Sequence, residues 1–277
     1  MPTADAERPL SALLSLAGRR AVITGAARGI GYATARRFAE AGAVVMLGDL
    51  DAESAAQAAA AIASDHGATI HSARLDVSKS DSVAAFADHS VRRMGGIDIW
   101  VNNAGVYPAT PMVETSDEFW THVIDVNLKG AFHGCREAAK RMIDGTLRPG
   151  RVIVNIASVA ALRGRVSLTT YSAAKSGVLG LTRSAAMELA PHRIRVLAVT
   201  PSMAETPGVR ELREAARGNT SAGSMLATME RDVMASFPLG RAAEADEVAR
   251  VVLFCASDMA AFMTGSNILV DGGLTTR

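Results

Sequence analysis

The sequence predicts a doubly wound α/β fold: a mainly seven-stranded parallel sheet with helices on both faces, in a single domain. Two observations predict it. Short β-rich runs alternate with longer helical patterns almost throughout the 277 residues. The β-rich runs are continuously apolar and do not alternate, as expected when helices cover both faces of a parallel sheet. Apolar residues make up 49% of the chain, enough to bury a substantial core, and no linker, internal repeat or low-complexity segment divides it. Ligands in such folds bind beyond the carboxyl ends of the strands, so the residues that follow each predicted strand carry the functional reading.

Residues 1–15 hold Asp5, Glu7 and Arg8 before a short apolar run and read as a loosely held tail before a domain over 16–277. The first strand spans 20–24. It runs into Thr24-Gly25-Ala26-Ala27-Arg28-Gly29-Ile30-Gly31, which opens a helix over 29–41. Glycines there permit a tight turn and let backbone approach a pyrophosphate, which the helix N-terminus attracts. The second strand, 44–48, ends at Asp49, eighteen residues beyond Gly31. An acid there would accept hydrogen bonds from adenosine ribose hydroxyls and repel a 2′-phosphate, by about 4 kcal/mol per unit charge at about 4 Å and an effective dielectric near 20. Arg28 pulls the other way, since a guanidinium near the ribose could welcome that phosphate. Repulsion dominates because Asp49 sits at the strand end, so NAD is expected over NADP.

A helix over 52–65 leads to a strand over 69–75, followed by Asp76-Val77; a helix over 80–94 leads to a strand over 97–101, followed by Asn102-Asn103-Ala104-Gly105. The next helix, 116–143, contains Asn127 and small residues at Ala131, Gly134 and Ala138. Its basic cluster, Arg136, Lys140 and Arg141, reads as a solvated or subunit-facing side. Strand 151–156 is followed by Ser158, thirteen residues before Tyr171. Helix 170–190 carries Tyr171 and Lys175 four residues apart, on one face and one turn apart. An ammonium beside a phenol favours the phenolate, and bringing a tyrosine to near neutrality takes about 3–4 kcal/mol. Strand 195–200 opens the one long irregular piece, 201–238, read as a lid or binding loop. Met203, Leu212, Met225, Leu226, Met229 and Met234 would give it an adaptable apolar lining. A helix over 244–256 and a strand over 268–270 complete the pattern.

The formal charge is +1, which gives no reason to expect nucleic acid or an anionic membrane surface as partner. No stretch reaches the roughly eighteen apolar residues that span a bilayer. Cys135 and Cys255 stand far apart in apolar contexts, so a reducing, cytoplasmic setting is expected. The histidines, His66, His71, His89, His122, His133 and His192, are scattered and form no metal-ligand pattern. No GxSxG elbow surrounds Ser158, which argues against a hydrolase.

Taken together, TGAARGIG, Asp76-Val77, Asn102-Asn103-Ala104-Gly105, Ser158, Tyr171 and Lys175 resemble the short-chain dehydrogenase/reductase family in its short, single-domain branch, with its Rossmann-type fold. The resemblance runs from about residue 15 to the C-terminus. It implies that Asp76 and Val77 border an adenine and that Asn103, Ala104 and Gly105 line the cofactor. It likens Pro201–Thr206 to a PGxxxT segment beside the nicotinamide, with Met203 lining it and Thr206 touching the carboxamide; Ser202 stands where glycine is usual, which puts the backbone geometry there in question. Tyr171 would be the acid–base group and Ser158 the hydrogen-bond partner of the same substrate oxygen. Lys175 would depress the tyrosine pKa and hold the nicotinamide ribose, while Asn127 orders a water relay. The expected reaction is hydride transfer between NAD(H) and a hydrophobic or cyclic secondary alcohol or ketone. Tyr107 and residues 159–163 would add to the pocket wall, with Arg163 as polar anchor. An NADPH-dependent carbonyl or 3-oxoacyl reductase and a non-catalytic NAD-binding sensor or scaffold stand as alternatives. A symmetric homotetramer is the expected assembly, and a homodimer its alternative.

Overall fold

Alternating apolar side chains on both faces of every central strand dictate the architecture. In a computed structural model of the chain, which describes residues 8–144, 150–206 and 237–276, Ala21 and Ile23 of β1 (Arg20–Thr24) enter one core while Val22 enters another. Val45 and Leu47 of β2 (Val44–Asp49), Ile99 and Val101 of β4 (Ile99–Asn102), and Val152 and Val154 of β5 (Arg151–Ile156) join the first. Met46, Trp100 and Ile153 join the second. A strand buried on both faces needs helices on both. These are α2 (Gly29–Glu40), α3 (Ala52–His66) and α8 (Ala245–Ala256) on the first face, and α4 (Ser80–Met94), α6 (Gly130–Asp144) and α7 (Thr169–Leu189) on the second.

With β3 (Ile70–Arg74), β6 (Ile194–Pro201) and β9 (Asn267–Val270) the sheet is seven-stranded and wholly parallel, in the order β3-β2-β1-β4-β5-β6-β9. Strand order reverses between β1 and β4, which pair directly. The crevice above their carboxyl ends is the expected ligand site. A further short parallel pair, β7 (Ala204–Glu205) with β8 (Ala243–Glu244), was not legible in the sequence. It ties together the two ends of the 201–238 segment, most of which lies outside the described residues.

The sequence-derived strands and helices agree with these elements to within about two residues, with two corrections. The stretch read as one helix over 116–143 is two, α5 (Asp117–Ile124) and α6, joined by a π-turn at Asp125–Lys129. Inside that turn the Asn127 amide donates to the Val123 carbonyl four residues back, at 3.0 Å. Side-chain bonding of this kind competes with the helical ladder. The second correction concerns the tail. Residues 10–14 form the short helix α1 (Leu10–Leu14), Leu16 is buried in the core, and Arg8 pairs with Asp258 at 2.8 Å. The C-terminal half of the 1–15 segment is therefore docked.

The basic cluster on α6 does not simply face solvent either. Arg136, Lys140 and Arg141 all bond the carboxylate of Glu137, which is buried. Burial alone would push the Glu137 carboxyl up, but the three cations outweigh it and hold it below its ordinary range.

One polar chain crosses the second core. Trp100 Nε1 donates to Asn102 Oδ1 at 2.7 Å, Asn102 Nδ2 to Asn155 Oδ1 at 2.8 Å, and Asn155 Nδ2 to Thr182 Oγ1 at 3.0 Å. It fits only because Gly134 of α6 has no side chain: a Cβ there would collide with Asn102 Oδ1 and lie 2.7 Å from Trp100 Nε1. Gly134→Ala should therefore destabilise the protein by roughly 2–4 kcal/mol, read as a lower urea midpoint. A midpoint equal to wild type would show that the network has slack.

Candidate active site

The glycine turn after β1 packs against itself and the end of β4 too closely for side chains at Gly25 and Gly31. Gly25 has φ +64°, in the left-handed region that favours glycine. A Cβ there would lie 2.7 Å from Ala104 Cα; one at Gly31 would collide with the Gly25 carbonyl oxygen and lie 2.6 Å from Asn103 Nδ2. The turn is locked to the end of β4 by Thr24, whose hydroxyl accepts from the amides of both Asn103 and Ala104 at 3.0 Å. Asn103 Nδ2 in turn donates to the carbonyls of Thr24 and Gly25, each at 2.9 Å. The Asn103 side chain thus fixes the loop itself. Thr24 was not singled out from the sequence, because a threonine ending a strand is an unremarked feature until its neighbour strand is known.

Asp49 sits at the end of β2 as expected. Its Oδ2 accepts from the Ala27 amide at 3.0 Å and Oδ1 from the Asp51 amide at 3.2 Å. The carboxylate therefore braces the glycine turn. Arg28 is exposed, and its charge reaches Asp51. Asp76 caps its own turn, accepting from the Ser78 amide and hydroxyl at 3.0 and 2.6 Å. The neighbouring Val77 carbonyl contacts His133 Nδ1 at 3.0 Å. Ile30 packs against the first core. Thr206 Cγ2 would lie 3.4 Å from a Cβ on Gly29, so the segment after β6 reaches the glycine turn.

The four residues expected to carry chemistry converge at the carboxyl end of β5. Ser158 leaves that strand and caps a short 3-10 turn, its hydroxyl accepting from the Ala160 amide at 3.2 Å. Tyr171 and Lys175 follow on α7, with Lys175 Nζ 5.7 Å from the Tyr171 ring centroid. Lys175 is buried and donates to the Ile156 carbonyl at 2.8 Å. Asn127 Nδ2 donates to the carbonyls of Val106 and Val123, which leaves its buried Oδ1 without a protein partner among the described residues. That oxygen faces Gly105, where a Cβ would lie 2.7 Å from it and 3.7 Å from Lys175 Nζ. The absence of a side chain at Gly105 is what lets the Asn127 amide oxygen approach so closely.

The electrostatics correct one expectation. Burial pushes the Tyr171 phenol above its ordinary value; the Ser158 hydroxyl pulls it back and Tyr107 adds to the rise. Lys175 does not depress it in this geometry, because the ammonium is turned to the Ile156 carbonyl. Burial instead brings Lys175 down to about 8.

Val159, Met203, Phe237 and Leu274 form a small apolar cluster beside Ser158. Arg163 donates to the Leu274 carbonyl at 3.1 Å, tying the C-terminal turn to that wall. Among the described residues no group of histidine, cysteine and carboxylate side chains could hold a metal, and no helix is long and apolar enough to cross a membrane. Cys135 and Cys255 are free and buried.

A lysine lowered from 10.5 to about 8 costs the folded protein about 3 kcal/mol while it stays charged. The folded value lies below the unfolded one, so this cost is complete below pH 8 and fades as pH rises towards 10.5. Lys175→Met should accordingly raise Tm by a few degrees at pH 7, with the gain shrinking by pH 10, while turnover is lost. A lower Tm at pH 7 would contradict the cost assigned to the buried charge.

A family model described as enoyl-(acyl carrier protein) reductase matches residues 25–275. The chain is 40% identical to cis-4-hydroxycyclohexanecarboxylate dehydrogenase of Sinomonas cyclohexanicum over 94% of its length and 98% of that protein. It is 38% identical to the 3-oxoacyl-(acyl-carrier-protein) reductase of Thermotoga maritima, over 94% and 99%. Its fold matches a crystal structure of a short-chain type dehydrogenase/reductase from Mycobacterium marinum with a TM-score of 0.85 at 33% identity, covering 96% of this chain and 98% of the other. Such relatives are oxidoreductases of CH–OH groups that use a nicotinamide cofactor. With end-to-end similarity in sequence and in structure, the chain belongs to the short-chain dehydrogenase/reductase family.

Proposed function

We propose that this oxidoreductase transfers a hydride between NAD(H) and a hydrophobic or cyclic secondary alcohol or ketone. The observation that carries the reading is the placement of Tyr171 one helical turn from a buried Lys175, beside the Ser158 hydroxyl, at the end of β5. In alcohol oxidation Tyr171 takes the hydroxyl proton, and in carbonyl reduction it returns one. Ser158 hydrogen-bonds the same oxygen and stabilises its developing charge. Lys175 holds the nicotinamide ribose, and Asn127 Oδ1 accepts from a relay water on the way to solvent. The nicotinamide supplies or accepts the hydride when bound.

Gly25, Arg28, Gly29, Ile30 and Gly31 would hold the pyrophosphate, Asp49 the adenosine ribose, and Asp76 and Val77 the adenine. Ala104 and Gly105, fixed by Asn103, would border the nicotinamide ribose, with Pro201, Met203 and Thr206 against the nicotinamide. A turn whose glycines leave no room for a Cβ, at the N-terminus of α2, suits a pyrophosphate. The Asp49 carboxylate favours NAD over NADP by like-charge repulsion. The similarity to a hydroxycyclohexanecarboxylate dehydrogenase supports a cyclic alcohol, with Arg163 as anchor for a polar substituent. The similarity to a 3-oxoacyl reductase supports the second reading, an NADPH-dependent reductase, against which Asp49 stands. Assembly as a homotetramer is consistent with β9 at the sheet edge and with exposed Leu269, Phe262 and Met187; a light-scattering mass of one chain would refute it.

Steady-state assays on cyclic secondary alcohols test the reading. The expected kcat/KM is at least tenfold higher with NAD than with NADP, and comparable values would favour the second reading. Tyr171→Phe should reduce kcat by a factor of 100 or more with NADH binding nearly intact. The rate of alcohol oxidation should rise with pH and go on rising above pH 8, because burial holds the Tyr171 phenol above its ordinary value and the phenolate is the base. A flat profile from pH 6 to 9.5 would remove Tyr171 from the proton transfer.

A further inference from the structure

Ser202 occupies a position where the family resemblance expects glycine, and the structure shows that glycine is not needed there. Among the described residues the only non-glycine positions with positive φ are Ser167 and Arg193. Ser202 therefore sits in an ordinary backbone conformation and its Cβ is accommodated. The backbone on either side is pinned. Pro201 pairs with Val270 in the sheet, the Ser202 amide donates to the Val270 carbonyl at 3.1 Å, and the Met203 carbonyl accepts from the Ala243 amide at 3.2 Å. The direction of the side chain is thus set by the fold.

Its hydroxyl oxygen is nevertheless buried and has no hydrogen-bond partner among the described residues. A hydroxyl shielded from water with no partner destabilises the protein that carries it. Position gives the atom a use. Ile156 pairs with Val199 across β5 and β6, so Ser158 and Ser202 leave neighbouring strand ends within two or three residues of that rung. Four residues beyond Ser202, Thr206 reaches the glycine turn. On the proposed reading, the segment from Ser202 to Thr206 runs from the strand end beside Ser158 to the glycine turn, along the nicotinamide half of the cofactor.

We infer that the Ser202 hydroxyl is an additional cofactor contact that hydrogen-bonds the nicotinamide carboxamide, either donating to its oxygen or accepting from its NH2. This rests on the proposed reading that residues 201–206 border the nicotinamide. Glycine or alanine at this position can make neither bond.

Ser202→Ala and Ser202→Gly in the full-length protein test it through binding and stability, without turnover. The Kd for NADH should rise about fivefold to tenfold in both variants. The Kd for ADP-ribose, which lacks the nicotinamide, should stay within about twofold of wild type. In the ligand-free protein, Ser202→Ala should raise Tm by about 2 °C, because an unpartnered polar atom has gone. An unchanged NADH Kd in both variants would overturn the contact, as would a parallel loss of ADP-ribose affinity or a lower Tm for Ser202→Ala. A wild-type protein that bound NADH no more tightly than ADP-ribose would instead overturn the underlying reading of the 201–206 segment, and this inference with it.

Discussion

A buried ammonium held by one backbone carbonyl governs the geometry of this site. Lys175 Nζ donates to the Ile156 oxygen at 2.8 Å, and no carboxylate among the described residues pairs with it. An arrangement of this kind disfavours the charged form in the folded state. It is stable only because α7 is packed along its length against β5 and β6, so that the helix, and not the ion, sets the position of the lysine. The same packing places Tyr171 one turn earlier, beside Ser158. The strand end supplies the carbonyl, the helix supplies the cation and phenol, and neither could orient the other alone.

Around that centre, several groups that would serve a ligand also serve the protein. Asp49 braces the Ala27 amide, Asn103 closes the glycine turn, and Thr24 joins the ends of β1 and β4. Each ties a loop to a strand end across the point where strand order reverses. The crevice is therefore rigid where phosphates would bind, and its backbone amides are preorganised. Among the described residues several buried side-chain atoms depart from this economy of bonding: Thr34 Oγ1 and His66 Nε2 on α2 and α3, and Asn127 Oδ1, Ser172 Oγ and Ser202 Oγ around the candidate site. Those beside Tyr171 stand where a ligand could complete the bonding.

The electrostatics of Tyr171 show how spacing can mislead. A lysine one turn from a tyrosine reads as a charge that lowers the phenol pKa. Buried in the fold, the phenol rises, because loss of water outweighs an ammonium that points elsewhere. The basic run on α6 misleads in the same manner. Arg136, Lys140 and Arg141 look like a solvated face, yet they neutralise Glu137 within their own helix. Charge patterns along a chain reveal which ions are present but not which way they turn.

Local sequence determined the fold class. Continuous apolar runs separated by amphipathic stretches admit little besides a parallel sheet covered on both faces, and the glycine turn marked its first crossover. The order TGAARGIG, Asn102–Gly105, Ser158, Tyr171 and Lys175 already carried the family and the candidate site, since each motif follows a strand end. Tertiary structure alone decided the π-turn that holds Asn127, the docking of residues 8–16, the β7–β8 pair, and the roles of Thr24 and the Ile156 carbonyl. All of these depend on contacts between segments distant in sequence, or on how a side chain turns once water is excluded. Periodicity and spacing carry no information about either, because a backbone carbonyl or an ordinary threonine looks the same at every strand end until its neighbour is in place.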